Sequence, residues 1–275
     1  MSVSFLYPSN PLDVRQVDDM YREEFTLAKQ AGLSVHCIDI ENIEYCSLFP
    51  RIAEDGAIIY RGYMLNDQSY NQLEKRFGSC LVTSKNSYLN AHYFPNWYKE
   101  IESLTIPSII SNESSAQEDL KKLNGKAFIK DYVKSLKTGK GSIVDGNEDL
   151  ARALSDMKYY RGSIEGGIFL RKVVNFRPDS EIRFFVVNST IFSPEKYANA
   201  DTYAFVEQVV KQLDHKELKF YTVDIAITQE GHLTVIEVGD GQVSDYVGWE
   251  LQDFIKVLNY FARALDFNPN SINTV

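Results

Sequence analysis

Short apolar runs that alternate with helically spaced apolar positions mark a small α/β unit at the start of the chain. The runs typical of buried strands are Val3–Tyr7, Val35–Ile40, Ala57–Tyr60 and Leu81–Thr83. Between them, apolar residues at helical spacing predict helices over Val14–Ala31 and Asn66–Phe77, and Gly32 is placed to cap the first of these. Strands that alternate with helices favour a parallel sheet, so we expect a small α/β domain over residues 1–84.

A second pattern of strands and helices begins after the aromatic segment 84–115, which we expect to pack the two parts together. Its predicted strands are Lys126–Val133, Gly167–Val174 and Ile182–Val187, and its predicted helices are Ala116–Leu123, Asn147–Lys158 and Thr202–Leu213. Asn147 is the expected N-cap of its helix. A last helix carries one apolar face, formed by Leu251, Phe254, Ile255, Leu258, Phe261, Ala262 and Leu265. We assign residues 85–275 to this second domain.

Two acidic residues are predicted to face each other in a hairpin over Phe220–Val238. A two-residue turn at Glu230-Gly231 would place Asp224 directly opposite Glu237, on the same face as Ala226 and Val235. The flanking positions are apolar on both faces, which indicates that the hairpin is buried. Like charges opposite one another destabilise a sheet, whereas a Mg²⁺ ion held between them removes the repulsion. The alternative is a solvated edge hairpin in which the two acids have no shared role.

Composition and charge exclude several other classes of protein. The formal net charge of −9 argues against non-specific binding to nucleic acid or to an anionic membrane. Cys37, Cys46 and Cys80 fit neither a disulfide framework nor a zinc site. No stretch approaches the roughly 18 apolar residues of a membrane span, so we expect a soluble, cytoplasmic protein.

Several cationic residues occupy positions suited to phosphate. Lys130 lies in the middle of an apolar strand, and the Gly/Ser/Lys loop at 137–142 follows it. Backbone N–H groups of such a loop bind phosphate oxygens, although a flexible surface turn explains the loop equally well. Arg183 opens an apolar strand, either to stabilise phosphate charge or to pair at the rim with Glu181 or Asp179.

Arg61 is a further candidate, at the carboxyl end of a predicted strand and beside a glycine. Open α/β sheets bind ligands at such strand ends. A guanidinium there is suited to clamp a substrate carboxylate with two parallel hydrogen bonds.

Taken together, the order of these features resembles the ATP-grasp superfamily, and most closely its ribosomal-modification-type carboxylate–amine ligases. The order is a strand lysine, a Gly/Ser loop, a helix, a crossover strand, Glu-x-Arg before a strand, and then a strand Asp followed by a strand Glu. The resemblance covers about residues 85–262. It implies a small N-terminal α/β domain followed by two α+β subdomains that clasp ATP, one at about 116–175 and one at about 176–265.

The resemblance also implies roles for individual residues. Lys130 would contact the α/β phosphates, Arg183 would reach the γ-phosphate, and Asp224 and Glu237 would hold Mg²⁺ or Mn²⁺. The nucleotide-binding positions implied are Lys130, Lys137, Gly139, Lys140, Gly141, Ser142, Phe169, Leu170, Arg171, Lys172, Val173, Glu181, Arg183 and Lys196. For Lys196 the alternative is a solvated loop lysine.

Two positions depart from the family pattern. Where the family has Asn two residues after the metal-binding Glu, this chain has Gly239, and we expect Asp240 to supply the missing oxygen ligand. Where the family has an acidic pair in the hinge after the crossover strand, this chain has Arg171 and Lys172. We therefore expect a divergent branch of the superfamily.

The implied activity is ATP-dependent ligation. A carboxylate of a small molecule or peptide would be activated as an acyl-phosphate and attacked by an amine, with release of ADP and phosphate. The expected partners are ATP, the carboxylate substrate, the amine acceptor and a second copy of the chain in a homodimer, with neither nucleic acid nor membrane. The alternatives are a nucleotide-binding module without ligase activity, a phosphotransferase, and an interaction protein in which the two acids are incidental.

Overall fold

The computed structural model describes residues 2–52, 56–133, 141–194 and 199–266. Its first sheet is built around β1 (Val3–Asn10), which pairs in parallel with β3 (Ser34–Ile38) on one side and β4 (Ala57–Tyr60) on the other. Helices α1 (Arg22–Gln30) and α2 (Asp67–Phe77) complete the unit. The predicted parallel sheet is therefore confirmed. The stretch Leu81–Thr83 makes only an isolated bridge, between Leu81 and Ile58, and was wrongly predicted to be a strand.

The segment predicted as one helix over Val14–Ala31 is a strand followed by a helix. Strand β2 (Asp13–Val17) turns back antiparallel onto the end of β1, and α1 begins only at Arg22. Asn10 and Asp13 drive this turn, because their side-chain oxygens accept hydrogen bonds from backbone N–H groups two residues on. Gly32, with φ of +86°, follows the end of α1 as predicted.

The aromatic segment after the first sheet forms two short helices, α3 (Lys85–His92) and α4 (Phe94–Tyr98). Its large side chains are buried, and the ring of Phe94 stacks on that of Phe169, with centroids 3.7 Å apart. This contact ties α4 to the next sheet, so the segment packs the parts of the molecule together, as expected.

The second sheet has the order β5-β8-β6-β7, with all neighbours antiparallel. Its strands are β5 (Ser108–Ser111), β6 (Lys126–Asp131), β7 (Ile143–Asp145) and β8 (Ile168–Arg171). Helices α5 (Ala116–Lys122) and α6 (Asn147–Arg161) bury their apolar sides against it. The N-cap of α6 is Gly146 rather than the predicted Asn147, and it makes no side-chain capping bond.

The third sheet, in the order β10-β9-β11-β12, holds the predicted hairpin. Its strands are β9 (Ile182–Val187), β10 (Thr190–Phe192), β11 (Phe220–Ile227) and β12 (Leu233–Asp240), with helix α7 (Ala200–Leu213) between β10 and β11. The last helix, α8 (Leu251–Asp266), buries the whole of its predicted apolar face. Among the residues described, no helix combines the length and hydrophobicity needed to cross a membrane.

Arg61 joins the first sheet to the segment that follows β12. Its guanidinium forms a bidentate ion pair with Glu24, at 2.8 and 2.9 Å, and both side chains are only 2% exposed. Nη1 donates to the backbone carbonyls of Gln242 at 3.1 Å and Ser244 at 2.7 Å, and the group lies over the ring of Phe254. The proposal that Arg61 clamps a substrate carboxylate is therefore corrected, because its donors are already taken inside the protein.

Asp240 is a second buried polar group at the same junction. It is 1% exposed and accepts hydrogen bonds from the backbone N–H and the Nε2 of Gln242. The same Nε2 also donates to the hydroxyl of Tyr70 in α2, at 3.1 Å. Burial raises the pKa of Asp240 to about 7.

Replacing Arg61 with Met should destabilise the protein by about 3–5 kcal/mol, since it leaves the Glu24 carboxylate buried without its partner. Denaturant-induced unfolding measures the change. The double variant Arg61→Met/Glu24→Gln is the control, and it should recover part of the loss because no unpaired charge remains. A single variant as stable as the wild type would contradict the structural role.

The stability advantage of an Asp240→Asn variant should grow as the pH rises from about 4 to about 7. The folded-state pKa of Asp240 lies above its unfolded value, so folding is penalised once the unfolded chain has lost this proton. Below pH 4 both states are protonated and the penalty disappears. Unfolding free energies of the two proteins across this range test the prediction, and a constant difference would refute it.

Candidate functional site

Three charged residues form one row across the third sheet. In the strand register Arg183 of β9 pairs with Asp224 of β11, which pairs in turn with Glu237 of β12. Arg183 forms a bidentate ion pair with Asp224, with Nε–Oδ1 at 2.8 Å and Nη2–Oδ2 at 2.6 Å. The predicted juxtaposition of Asp224 and Glu237 is confirmed.

The register arises differently from the prediction, through two deviations that offset one another. The loop is longer than a two-residue turn: Gly231, with φ of +95°, donates to the carbonyl of Thr228, which itself pairs with His232. This shifts the pairing near the turn by one residue, so that Val235 faces Ile225 rather than Ala226. A β-bulge at Ile236 then restores Glu237 to its place opposite Asp224.

The second sheet supplies two further cations to this row. Lys130, in β6, places its Nζ 2.6 Å from the Oε1 of Glu237. Arg171, at the end of β8, donates from Nη1 to the carbonyl of Ile236 at 2.7 Å and from Nε to the hydroxyl of Ser108 at 3.2 Å. The two sheets therefore meet through opposite charges, with Lys130 and Arg171 on one side and the row Arg183–Asp224–Glu237 on the other.

These pairings decide which groups stay charged. Burial raises the pKa of Asp224, and the guanidinium of Arg183 opposes that effect. Burial would also raise the pKa of Glu237, but the ammonium of Lys130 outweighs it and holds that pKa below its usual range. Burial lowers the pKa of Arg171 to about 10, so this side chain remains cationic at neutral pH. The site thus combines three cations with two carboxylates.

Access to the row is uneven. The side chain of Asp224 is 4% exposed and that of Arg183 is 20% exposed, whereas that of Glu237 is 37% exposed. A ligand that enters between the sheets therefore meets Glu237 first. Glu181, two residues before Arg183, is exposed at the rim.

The position of the missing family Asn is filled by hydroxyl groups. A Cβ atom on Gly239 would lie 2.9 Å from the Oγ1 of Thr222 and 3.1 Å from the Oγ of Ser244. These hydroxyls hydrogen-bond to each other at 3.1 Å, and Ser244 also donates to the carbonyl of Asp240. The packing leaves no room for an Asn side chain, so glycine fits here because its neighbours supply the polar atoms.

Asp240 does not join the pair as expected. It lies three residues beyond Glu237 in an unbroken register, so its side chain points to the opposite face of β12. There it contacts Gln242, which bonds to Tyr70 of the N-terminal unit. Among the residues that the structure describes, no group of three or more His, Cys, Asp or Glu side chains is placed to hold a metal ion.

The remaining predicted positions fall into two groups. Gly141 is exposed with φ of +75°, and buried Ser142 accepts a hydrogen bond from the N–H of Ile129, so this end of the loop joins β6. Phe169, Leu170 and Arg171 are buried in β8. The backbone N–H of Lys172 donates to the carbonyl of Pro107 at 2.9 Å. Lys137, Gly139, Lys140 and Lys196 lie outside the described residues.

Sequence reasoning missed the segment after β12 as part of the site. The carbonyl of Asp245 accepts a hydrogen bond from Nη1 of Arg183 at 2.7 Å, and the indole of Trp249 donates to the backbone carbonyl of Arg183 at 3.0 Å. Carbonyl contacts leave no signature in side-chain pattern, which is why Asp245 was not found. The buried Trp249, next to a glycine and outside any apolar run, is the signal that was available.

Comparisons with known proteins agree with this geometry. A family model described as an ATP-grasp domain, the third family of its clade, matches residues 83–258. A comparison with curated proteins found no significant sequence match.

Solved ATP-grasp structures share the fold at low sequence identity. A RimK-domain ATP-grasp protein from Sphaerobacter thermophilus matches with a TM-score of 0.63 and 13% identity, covering 95% of this chain and 99% of its own. The macrocyclase MdnC from Microcystis aeruginosa, bound to its precursor peptide MdnA, matches with 0.58 and 13%, covering 94% and 100%. The ligase PsnB, in complex with a minimal precursor, Mg and ADP, matches with 0.59 and 11%, covering 95% and 98%.

The expected fold, with a small α/β unit ahead of two α+β units, is thus confirmed. The model match spans more than half of the chain, and the strand lysine, the strand arginine and the carboxylate pair all lie within it. The chain belongs to the ATP-grasp superfamily.

Proposed function

We propose that this protein is an ATP-dependent ligase that activates a carboxylate as an acyl-phosphate for attack by an amine, releasing ADP and phosphate. The observation that carries the proposal is the row Arg183–Asp224–Glu237, met by Lys130 from the opposite sheet. Membership of the ATP-grasp superfamily supports it, as does the fold shared with PsnB, a ligase solved with Mg and ADP. The carboxylate substrate is a small molecule or a peptide, and MdnC, which holds a precursor peptide, is consistent with the second.

The carboxylate pair suits a hard divalent cation. Asp224 and Glu237 face each other with ionised oxygen atoms, and Mg²⁺ is commonly bound by one or two carboxylates together with phosphate oxygens. Within the described part of the chain, two carboxylates with no third acidic ligand match that pattern, with phosphate completing the coordination. When bound, the ion would neutralise charge on the transferring phosphoryl group. We propose Mg²⁺, with Mn²⁺ as a substitute.

The protein's own charges must exchange partners when nucleotide enters. Lys130 would leave Glu237 and turn to the α/β phosphates, and Arg183 would share its guanidinium between Asp224 and the γ-phosphate. Each carboxylate that loses a cation would gain the metal instead. The site therefore remains close to neutral throughout, which keeps the cost of burying these charges low.

The rest of the nucleotide would be held by the second sheet. The stretch Phe169–Val173 would offer backbone groups to adenine, and since the N–H of Lys172 already bonds Pro107, a neighbouring N–H must serve. The loop from Lys137 to Ser142, with Gly139, Lys140 and Gly141, would close over the phosphates, and Lys196 would add a further cation.

The chemistry proposed needs no covalent attachment to the protein. The substrate carboxylate attacks the γ-phosphate, and the amine then displaces phosphate from the acyl-phosphate. The protein contributes orientation and stabilisation of developing charge, through Lys130 and Arg183. The described residues fit this task, because every side chain of the row is held by at least one further contact.

Replacing Glu237 with Gln should lower ATP turnover by about 10²–10³-fold, since a neutral amide cannot replace the carboxylate at the metal. ADP release in the presence of Mg²⁺ and a panel of amino acids and short peptides measures the effect. The control is Glu230→Gln, the same change at the exposed turn of the same hairpin, which should retain normal turnover. Normal turnover in the Glu237 variant, with the fold intact by circular dichroism, would overturn the metal assignment.

Binding of nucleotide and of metal should be strongly synergistic. Either ligand alone must break the pairs Lys130–Glu237 or Arg183–Asp224 and leave one partner uncompensated, so we expect Mg²⁺ to raise nucleotide affinity by at least about tenfold. Calorimetric titration with a non-hydrolysable ATP analogue, with Mg²⁺ and with EDTA, tests this. The Asp224→Asn variant should lose most of the difference. Binding without any product from the panel would point to a nucleotide-binding module instead.

A further inference from the structure

The β-bulge at Ile236 is what places both carboxylates at one site. Beside the turn, the strands pair so that Ile225 faces Val235, and continuing that register would bring Ile236 opposite Asp224. A one-residue slip moves every side chain of a strand to the other face. Without the bulge, Glu237 would therefore point away from Asp224 and from Lys130.

Arg171 holds this bulge from the opposite sheet. The extra residue, Ile236, has no partner in the register with β11, and its carbonyl accepts a hydrogen bond from Nη1 of Arg171 at 2.7 Å. β12 is the last strand of its sheet among the described residues, and on its outer side Thr105 makes only an isolated bridge to Val235. Backbone carbonyls in such positions need another donor, and a guanidinium from a neighbouring sheet supplies it.

The guanidinium is itself fixed in place. It lies over the rings of Phe94 and Phe169, each centroid 5.3 Å from Cζ, while Nε donates to the hydroxyl of Ser108. Nε and Nη1 thus point in two set directions, toward Ser108 and toward Ile236. A lysine ammonium, as a point charge on a flexible stem, cannot reproduce that fork.

A comparison with Arg61 shows that Arg171 is not placed merely to satisfy its own hydrogen bonds. All three nitrogen atoms of Arg61 donate to described partners. In Arg171, Nη2 is buried and has no hydrogen-bond partner among the residues described. The protein tolerates this unsatisfied donor at the point where Nη1 reaches the bulge, which indicates that the contact with Ile236 has a purpose.

We infer that Arg171 is a positioning residue of the metal-binding pair, which holds the Ile236 bulge and so keeps Glu237 opposite Asp224. This inference rests on the proposed function, because it concerns the affinity of that pair for a divalent cation. It also assigns a role to one of the two residues at which the chain departs from the family pattern. The side chain of Arg171 acts on β12, and any contact with adenine is left to the backbone.

The test uses Mn²⁺ binding in the presence of a non-hydrolysable ATP analogue, measured by the electron paramagnetic resonance signal of free Mn²⁺. Arg171→Met keeps the length of the side chain and removes its donors, and Arg171→Lys keeps the charge. Both should weaken Mn²⁺ binding by about 10–100-fold, the usual effect of losing a group that orients a metal ligand. Metal-free binding of the analogue should change less than about twofold, since Arg171 does not contact the phosphates.

Ser108→Ala is the matched control, because it removes the other hydrogen bond of the guanidinium and leaves the bond to Ile236. It should retain wild-type Mn²⁺ affinity. Backbone NMR without metal gives a second readout: in the Arg171 variants, shift changes should centre on residues 235–237 and 224–225. The Lys variant keeps the aromatic contacts, so the test stands even if the Met variant does not fold.

The outcomes separate the two proposals. Wild-type Mn²⁺ affinity in the Arg171→Lys protein overturns the positioning role while leaving the ligase proposal intact. Equal losses of Mn²⁺ and metal-free analogue binding also overturn it, because they indicate a general structural role. A wild-type protein that binds no Mn²⁺ with the analogue refutes the metal-binding pair itself, and the role of Arg171 with it.

Discussion

The arrangement of the two C-terminal sheets depends on the mutual neutralisation of Lys130, Arg183, Asp224 and Glu237. Two carboxylates opposite one another would repel, and each is instead matched with a cation from a different element. Arg183 compensates Asp224 within one sheet, whereas Lys130 compensates Glu237 across the gap between sheets. The balance of charge and the spacing of the sheets are therefore coupled. A movement that separates the sheets exposes an unpaired acid, unless another cation takes the place of Lys130.

The segment after β12 connects this balance to the N-terminal unit. The carbonyls of Gln242 and Ser244 accept hydrogen bonds from Arg61, and that of Asp245 accepts one from Arg183. Four consecutive residues thus touch a buried cation of the first domain at one end and the candidate site at the other. Because each contact uses a backbone carbonyl, a side-chain substitution in the segment leaves the connection in place. The N-terminal unit is in this way more than an appended domain, since it fixes the segment on which Arg183 rests.

Much of the architecture could be predicted from the sequence, because buried strands and amphipathic helices leave a periodic record. The strand Ile182–Val187 was predicted to the residue, and every apolar position of α8 is buried. The N-terminal hairpin was missed, because Asn10 and Asp13 make their turn through side-chain bonds while the following apolar spacing also suits a helix. The facing of Asp224 and Glu237 was predicted from a turn of the wrong length, and it holds because the bulge at Ile236 offsets the error. Bulges depend on contacts from distant strands, here from Arg171, so no local pattern announces them.

The two bidentate arginine–carboxylate pairs show what the sequence alone could not separate. Arg61 and Arg183 both stand at the end of an apolar strand, and both hold a carboxylate with two hydrogen bonds. Arg61 and Glu24 are each 2% exposed, so their pair is sealed within the protein and its whole effect is on stability. Arg183 is 20% exposed and its neighbour Glu237 is 37% exposed, so a ligand can reach this row and exchange partners with it. The same pair of side chains is thus structural where solvent is excluded and available for binding where one edge stays open, and that edge is set by the tertiary packing of the two sheets.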